Sequence, residues 1–206
     1  MSDTHMEEQA IMIKKLYYRY KARTVVIDGN GVGLGLVDYM VKSQEDENGD
    51  FYADFGVEND DEGYYKKYRT NNTEYDAMYI IKANAPINTE AHANVQSQMS
   101  SGKVKLLIDE IKARNKLLGT KVGQAMSPEE RANYLKPFTL TSILKEEMLN
   151  LREDNEGVNI ILKQANRSIP KDKFSSFEYG LYYIKQLEDS KKKRKRFSAK
   201  DFLFMN

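Results

Sequence analysis

Carboxylates carry the chemistry open to this chain. With no cysteine and only two histidines, His5 and His92, thiolate sites and disulfides are excluded, and a bound metal would rest on oxygen or on those imidazoles. Among 31 acidic residues, two stand out by their place in the chain. Asp28 ends the run Thr24-Val25-Val26-Ile27 and precedes Gly29-Asn30-Gly31. A carboxylate at the carboxyl end of a buried strand faces the crevice where α/β proteins place their ligands. The same residue could instead cap the glycine-rich turn through an Asx-type hydrogen bond. Asp172 follows Pro170-Lys171 and opens a helix, where its structural role would be that of an N-cap. A cap leaves the second carboxylate oxygen free, and hard cations such as Mg²⁺ prefer that ligand. Asp38, farther along the helix after the glycine turn, reads as a solvated or capping residue.

Other candidates fail on spacing. Gly29, Gly31, Gly33 and Gly35 invite a dinucleotide site, but the sixth position counted from Gly29 is Leu34 and from Gly31 is Leu36, so the G-x-G-x-x-G fingerprint is absent. An acid ahead of the glycines would also repel a pyrophosphate. No G-x-x-x-x-G-K-[ST] loop occurs, so ATP hydrolysis is not encoded in this sequence. His5 and His92 lack a second histidine at metal-binding spacing and read as surface residues. Tyr17, Tyr18 and Tyr20, like Tyr179, Tyr182 and Tyr183, read as amphipathic packing.

The elements that must position Asp28 and Asp172 follow from periodicity. Thr4-His5-Met6-Glu7 has capping-box spacing, and Met6, Ala10, Ile13, Tyr17 and Tyr20 then recur on one helical face to about Lys21. Val25 to Asp28 predicts a buried strand inside a sheet, with Val25 and Ile27 on one face, Val26 on the other, and both faces covered. Leu36, Val37 and Met40 continue into a second helix, which gives the helix, strand, helix order of an α/β sheet. The acidic stretch with Asn48-Gly49 and Glu62-Gly63 predicts an exposed excursion with a hairpin. Ala77 to Ile81 predicts a second strand and Ile87 to Met99 a helix. Val104 to Ile108 fits a short strand or a helix start, and Ile111 to Leu118 a helix. Ser127-Pro128-Glu129-Glu130 marks a strong helix start, with Leu144, Met148 and Leu151 on a later helical face. Val158 to Leu162 predicts a strand, and Phe177, Leu181 and Ile184 a last helix.

The length suits one sizeable domain, with or without a tail. Charge is balanced at a net +1 but unevenly placed: Ser43 to Gly63 holds nine acidic residues and no basic one, and Lys163 to Lys200 holds twelve basic and four acidic. Lys191 to Arg196 is an unbroken basic run that, with Lys163, Arg167, Lys171 and Lys173, could contact phosphates. No apolar stretch is long enough to span a bilayer, and the first residues lack a signal peptide's features.

Several of these segments, taken in order, resemble the nuclease domain of the large terminase subunits of tailed phages. They are Glu8-Gln9-Ala10 to Leu16-Tyr17-Tyr18, Val25 to Gly33, Ile87-Asn88-Thr89-Glu90 with Ser100 to Val104, Thr139 to Leu151 with Gly157 to Ile160, and Pro170 to Ser176 with Tyr179-Gly180-Leu181. The resemblance runs from near residue 5 to near residue 190. It implies a ribonuclease H-like mixed sheet flanked by helices, on which acidic residues hold two divalent ions, Mg²⁺ or Mn²⁺, to cut double-stranded DNA. By position, Asp28 matches the second acid and Asp172 the third, so both are expected to be catalytic metal ligands. Residues 1–190 would then be a partial nuclease domain and 191–206 a basic C-terminal tail. The family's first acid lies on a three-stranded meander ahead of the helix beginning at Met6, and residues 1–5 are too few for it. The chain is therefore expected to lack its first three strands and the ATPase part of a large terminase. The implied partners are DNA, that missing N-terminal part, the small terminase subunit and the portal protein, in the cytoplasm of an infected bacterium and with no membrane. The competing expectation is a catalytically incomplete DNA-binding or assembly module.

Overall fold

The structure, a computed structural model, describes residues 3–196 and divides into two compact units between Asn84 and Ala85. Helices and strands mix in both, so the chain is an α/β protein.

In the first unit, α1 (Asp3–Tyr20) leads to β1 (Val25–Asp28), α2 (Val32–Met40), a small hairpin of β2 (Gln44–Glu45) and β3 (Phe51–Tyr52), then β4 (Phe55–Val57) and β5 (Glu74–Ile81). The expected helices, the strand ending at Asp28, the hairpin around Asn48-Gly49 and the strand through Ala77 to Ile81 are all present. Since α1 is already helical at Asp3, Thr4 lies within it rather than at its cap. The larger sheet is parallel, in the order β1-β5-β4. Val25 registers with Met78 and Ile27 with Ile80, and all four join Val57 and Phe55 in a core closed by Ala10, Ile13, Val37 and Met40 of α1 and α2.

Two expectations need correcting here. First, among the described residues β1 is an edge strand of this sheet, not an interior one, because there it pairs with β5 alone. The central place goes to β5, which has eight residues and a run from Ala77 to Ile81 that is buried apart from the half-buried Tyr79. Val25 and Ile27 face the helices as expected, while Val26 is half-buried outside that core. Second, the acidic stretch is not wholly an exposed excursion. It contains β4, whose three residues are all buried, and Asp54, which is 1% exposed. The acids around β4 mask a strand only three residues long.

Asp54 is tolerated in the interior because its carboxylate is fully engaged. Thr70 donates its hydroxyl to Oδ1 at 2.6 Å and its backbone N–H to Oδ2 at 3.2 Å, and the Thr73 hydroxyl also donates to Oδ2. Burial works to raise this carboxyl, but those hydrogen bonds outweigh it and hold the group below the ordinary aspartate value. Lys14, on the apolar face of α1, is likewise completely buried. Its ammonium donates to the Lys42 carbonyl at 2.5 Å and lies 5.4 Å from the centre of the Phe55 ring. Burial lowers it to about 8, against a smaller opposing pull from Asp54.

The second unit comprises α3 (Ala85–Ser100), α4 (Glu110–Leu118), α5 (Lys121–Ala125), α6 (Pro128–Leu149), an antiparallel hairpin of β6 (Leu151–Glu156) and β7 (Asn159–Gln164), and α7 (Asp172–Arg196). Ser127 and Glu130 form the expected capping box on α6. Residues 103–109 are irregular rather than strand or helix, although Asp109 does cap α4 by accepting from the Ile111 N–H. Leu151 begins β6 instead of extending the helical face, and Val158 is a turn residue, 94% exposed. The basic run from Lys191 to Arg196 continues α7, and residues 197–206 of the expected tail lie outside the described residues. No helix among the described residues is long and apolar enough to cross a membrane.

Candidate functional site

Asp28 sits at the carboxyl end of β1, exposed, opposite Ile81 in the parallel ladder. The turn after it is pinned on both sides. The Gly29 N–H donates to the Ile81 carbonyl at 2.8 Å, and the Asn30 side-chain amide donates to the Ala83 carbonyl at 3.1 Å. The Asx-type bond anticipated from the sequence is present as well: the Asn30 N–H donates to Asp28 Oδ1 at 3.0 Å. That bond occupies one carboxylate oxygen and leaves Oδ2 without a partner among the described residues. Two glycines make the geometry possible. Gly31 has φ of 62°, which favours glycine, and a Cβ on Gly33 would fall 1.6 Å from the Asp28 carbonyl oxygen. The first turn of α2 is thereby laid directly on the end of β1.

Asp172 is the first residue of α7 and is exposed. It is not the cap expected of it, since Lys171 provides the carbonyl that accepts the Ser175 N–H. The orphan donor that a cap would satisfy is met by Glu147 of α6, whose Oε2 accepts the Phe174 N–H at 2.8 Å. Glu147 is completely buried, and Lys173 stands 3.6 Å from its other oxygen. A carboxylate beneath a helix N-terminus meets both the free N–H groups and the positive end of the helix dipole. With Glu147 in that position, the Asp172 carboxylate has no hydrogen bond or ion pair among the described residues. Glu147 gave no signal in the sequence, because a glutamate in a helix of charged residues looks solvated.

The remaining candidates divide. Asp38 is exposed on α2, as expected. His92 is not a surface residue: its side chain is 11% exposed and Nδ1 pairs with the buried Glu178 of α7. The α3 face that carries it packs against α7, where the Asn94 side chain also donates to the Leu181 carbonyl and Tyr179 to Asn88. The side chain of His5 lies outside the described residues. Lys171 is exposed, Lys163 is paired with Asp154 at 2.5 Å, and Lys173 is engaged with Glu147.

Asp28 thus belongs to the first unit and Asp172 to the second. Among the described residues, no three or more Asp, Glu or His side chains gather into a group that could hold a metal. The class that fold and geometry define is a mixed α/β protein presenting two exposed carboxylates on well-anchored backbone. Comparison with protein families, with characterised proteins and with solved structures finds no match for this chain.

Proposed function

We propose that the chain is the nuclease portion of a phage DNA-packaging terminase, with a ribonuclease H-like fold and with Asp28 and Asp172 as metal ligands. The observation that carries this reading is that both carboxylates keep an unengaged oxygen while the backbone beneath each is fixed, by the pinned turn after β1 and by Glu147 under α7. Preorganised oxygen donors of this kind suit Mg²⁺ or Mn²⁺. A bound pair of such ions supplies an activated water and stabilises the leaving 3′ oxygen of a cut DNA strand. The protein's own part is to hold the carboxylates in place.

The test is a Mn²⁺ titration of the full chain, followed by plasmid cutting once an upstream segment carrying the remaining acid is added. Asp28→Asn and Asp172→Asn should each weaken Mn²⁺ binding at least about tenfold and abolish cutting. Asn at position 28 retains the oxygen that accepts from Asn30, so the fold should persist. Mn²⁺ binding unchanged in both variants would remove the metal-ligand assignment. Intact metal binding without cutting would favour a DNA-binding or assembly module instead.

A further inference from the structure

The crossover from β4 to β5 carries an aromatic and cationic surface that the carboxylate site does not use. Its sequence, Tyr64-Tyr65-Lys66-Lys67-Tyr68-Arg69, runs through a 3-10 turn at Lys66–Tyr68, and Tyr75 follows on β5. Tyr65 and Tyr68 pack onto the core of the first unit and so anchor the segment. Tyr64 and Tyr75 do the opposite, at 58% and 66% exposed. The cations are threaded between the rings: Lys67 Nζ lies 4.4 Å from the Tyr64 ring centre and 5.0 Å from that of Tyr68, and the Arg69 guanidinium lies 5.5 Å from that of Tyr75. Tyr64 and Tyr65 meet edge to face at 4.9 Å.

None of Lys66, Lys67 and Arg69 is ion-paired with a carboxylate among the described residues. Candidate acids are close at hand, because Asp60, Asp61 and Glu62 immediately precede the segment. Asp60 is turned to the backbone instead, accepting the Tyr65 N–H at 2.9 Å. Two exposed lysines and a half-buried arginine, none ion-paired among the described residues, beside two exposed rings and on a backbone held by two half-buried rings, are the parts needed to grip an unpaired strand. The cations contact phosphates and the ring faces stack on bases without reading sequence. A duplex presents its phosphates but keeps its base faces stacked, so the two exposed tyrosines would gain little from it.

The geometry points to this segment as a binding surface for single-stranded DNA. The choice of DNA over RNA rests on the proposed nuclease reading; the stacking and phosphate contacts do not. Binding of a labelled deoxythymidine oligomer and of a duplex of equal length to the full chain, followed by anisotropy over a range of salt, tests it. Tyr64→Ala with Tyr75→Ala should lower single-strand affinity at least about tenfold, with duplex affinity held within about twofold. Replacing Lys66, Lys67 and Arg69 by Gln should reduce the single-strand salt slope by about 2, at about 0.7 for each phosphate no longer neutralised. Photocrosslinks from a bromodeoxyuridine oligomer should map to Tyr64 or Tyr75 and not solely to the basic end of α7. Unchanged single-strand affinity in the tyrosine variant, an equal loss on duplex, or tighter binding of a ribo-oligomer would overturn the proposal. Because the readout is binding, it is independent of whether Asp28 and Asp172 support cutting.

Discussion

At the scale of single residues, Glu147 decides how Asp172 is presented. The helix start at Asp172 needs an acceptor for its first N–H groups, and a buried carboxylate from α6 supplies it from below. Glu147→Ala would leave the Phe174 N–H without its acceptor and open a cavity where a completely buried side chain stood. We expect a loss of roughly 2–4 kcal/mol in urea unfolding. Glu147→Gln keeps an accepting oxygen and should recover part of that loss. A cost below about 0.5 kcal/mol for the alanine variant would show that the start of α7 is held by something else.

At the scale of elements, the first unit has placed a lysine where α1 meets the sheet, and this makes its stability depend on pH. Burial lowers Lys14 from 10.5 to about 8, so between those values the unfolded chain binds the proton that the folded chain has released. Stability therefore rises as pH increases through that window, by a few kcal/mol at most. Tyrosines of the unit act in the other direction. Burial, aided by Glu74, raises Tyr18 to about 12, so above pH 10 the folded chain retains a proton that the unfolded chain loses, and stability falls. Thermal unfolding followed across alkaline pH should accordingly show a maximum near pH 10. Lys14→Met should remove the rising limb and leave the fall. A rise that persists in Lys14→Met would assign it to another group.

At the scale of the whole molecule, charge is segregated along the chain. The acids cluster between Ser43 and Gly63, and the basic run from Lys191 to Arg196 ends α7. Removing residues 191–206 should weaken duplex DNA binding and flatten its salt dependence, by about 0.9 in slope for each phosphate no longer neutralised, with no change in sequence preference. Filter binding at several salt concentrations measures this. A slope equal to that of the intact chain would mean the run is only solvated. The tyrosine surface and this helix end are separable in such an assay, because stacking favours single strands whereas a row of lysines does not discriminate between them.

Local pattern determined a good deal of this molecule. The β-branched run to Asp28, the glycine turn and the capping box at Ser127 each follow from interactions within a few residues, and each stands where the sequence puts it. The Asx bond from Asn30 to Asp28 was legible for the same reason. What the sequence did not disclose depends on partners distant along the chain. Phe55 to Val57 becomes a strand because β5 pairs with it, and Asp54 can be buried because Thr70 and Thr73 come round to meet it. Lys14 is buried because its helix face turns toward Lys42 and Phe55, and His92 is removed from the surface because Glu178 waits on another helix. The place of β1 at the edge of the described sheet likewise depends on its pairing with the distant β5. A polar side chain carries no local mark of burial, since burial costs too much without a partner and only the tertiary structure supplies one.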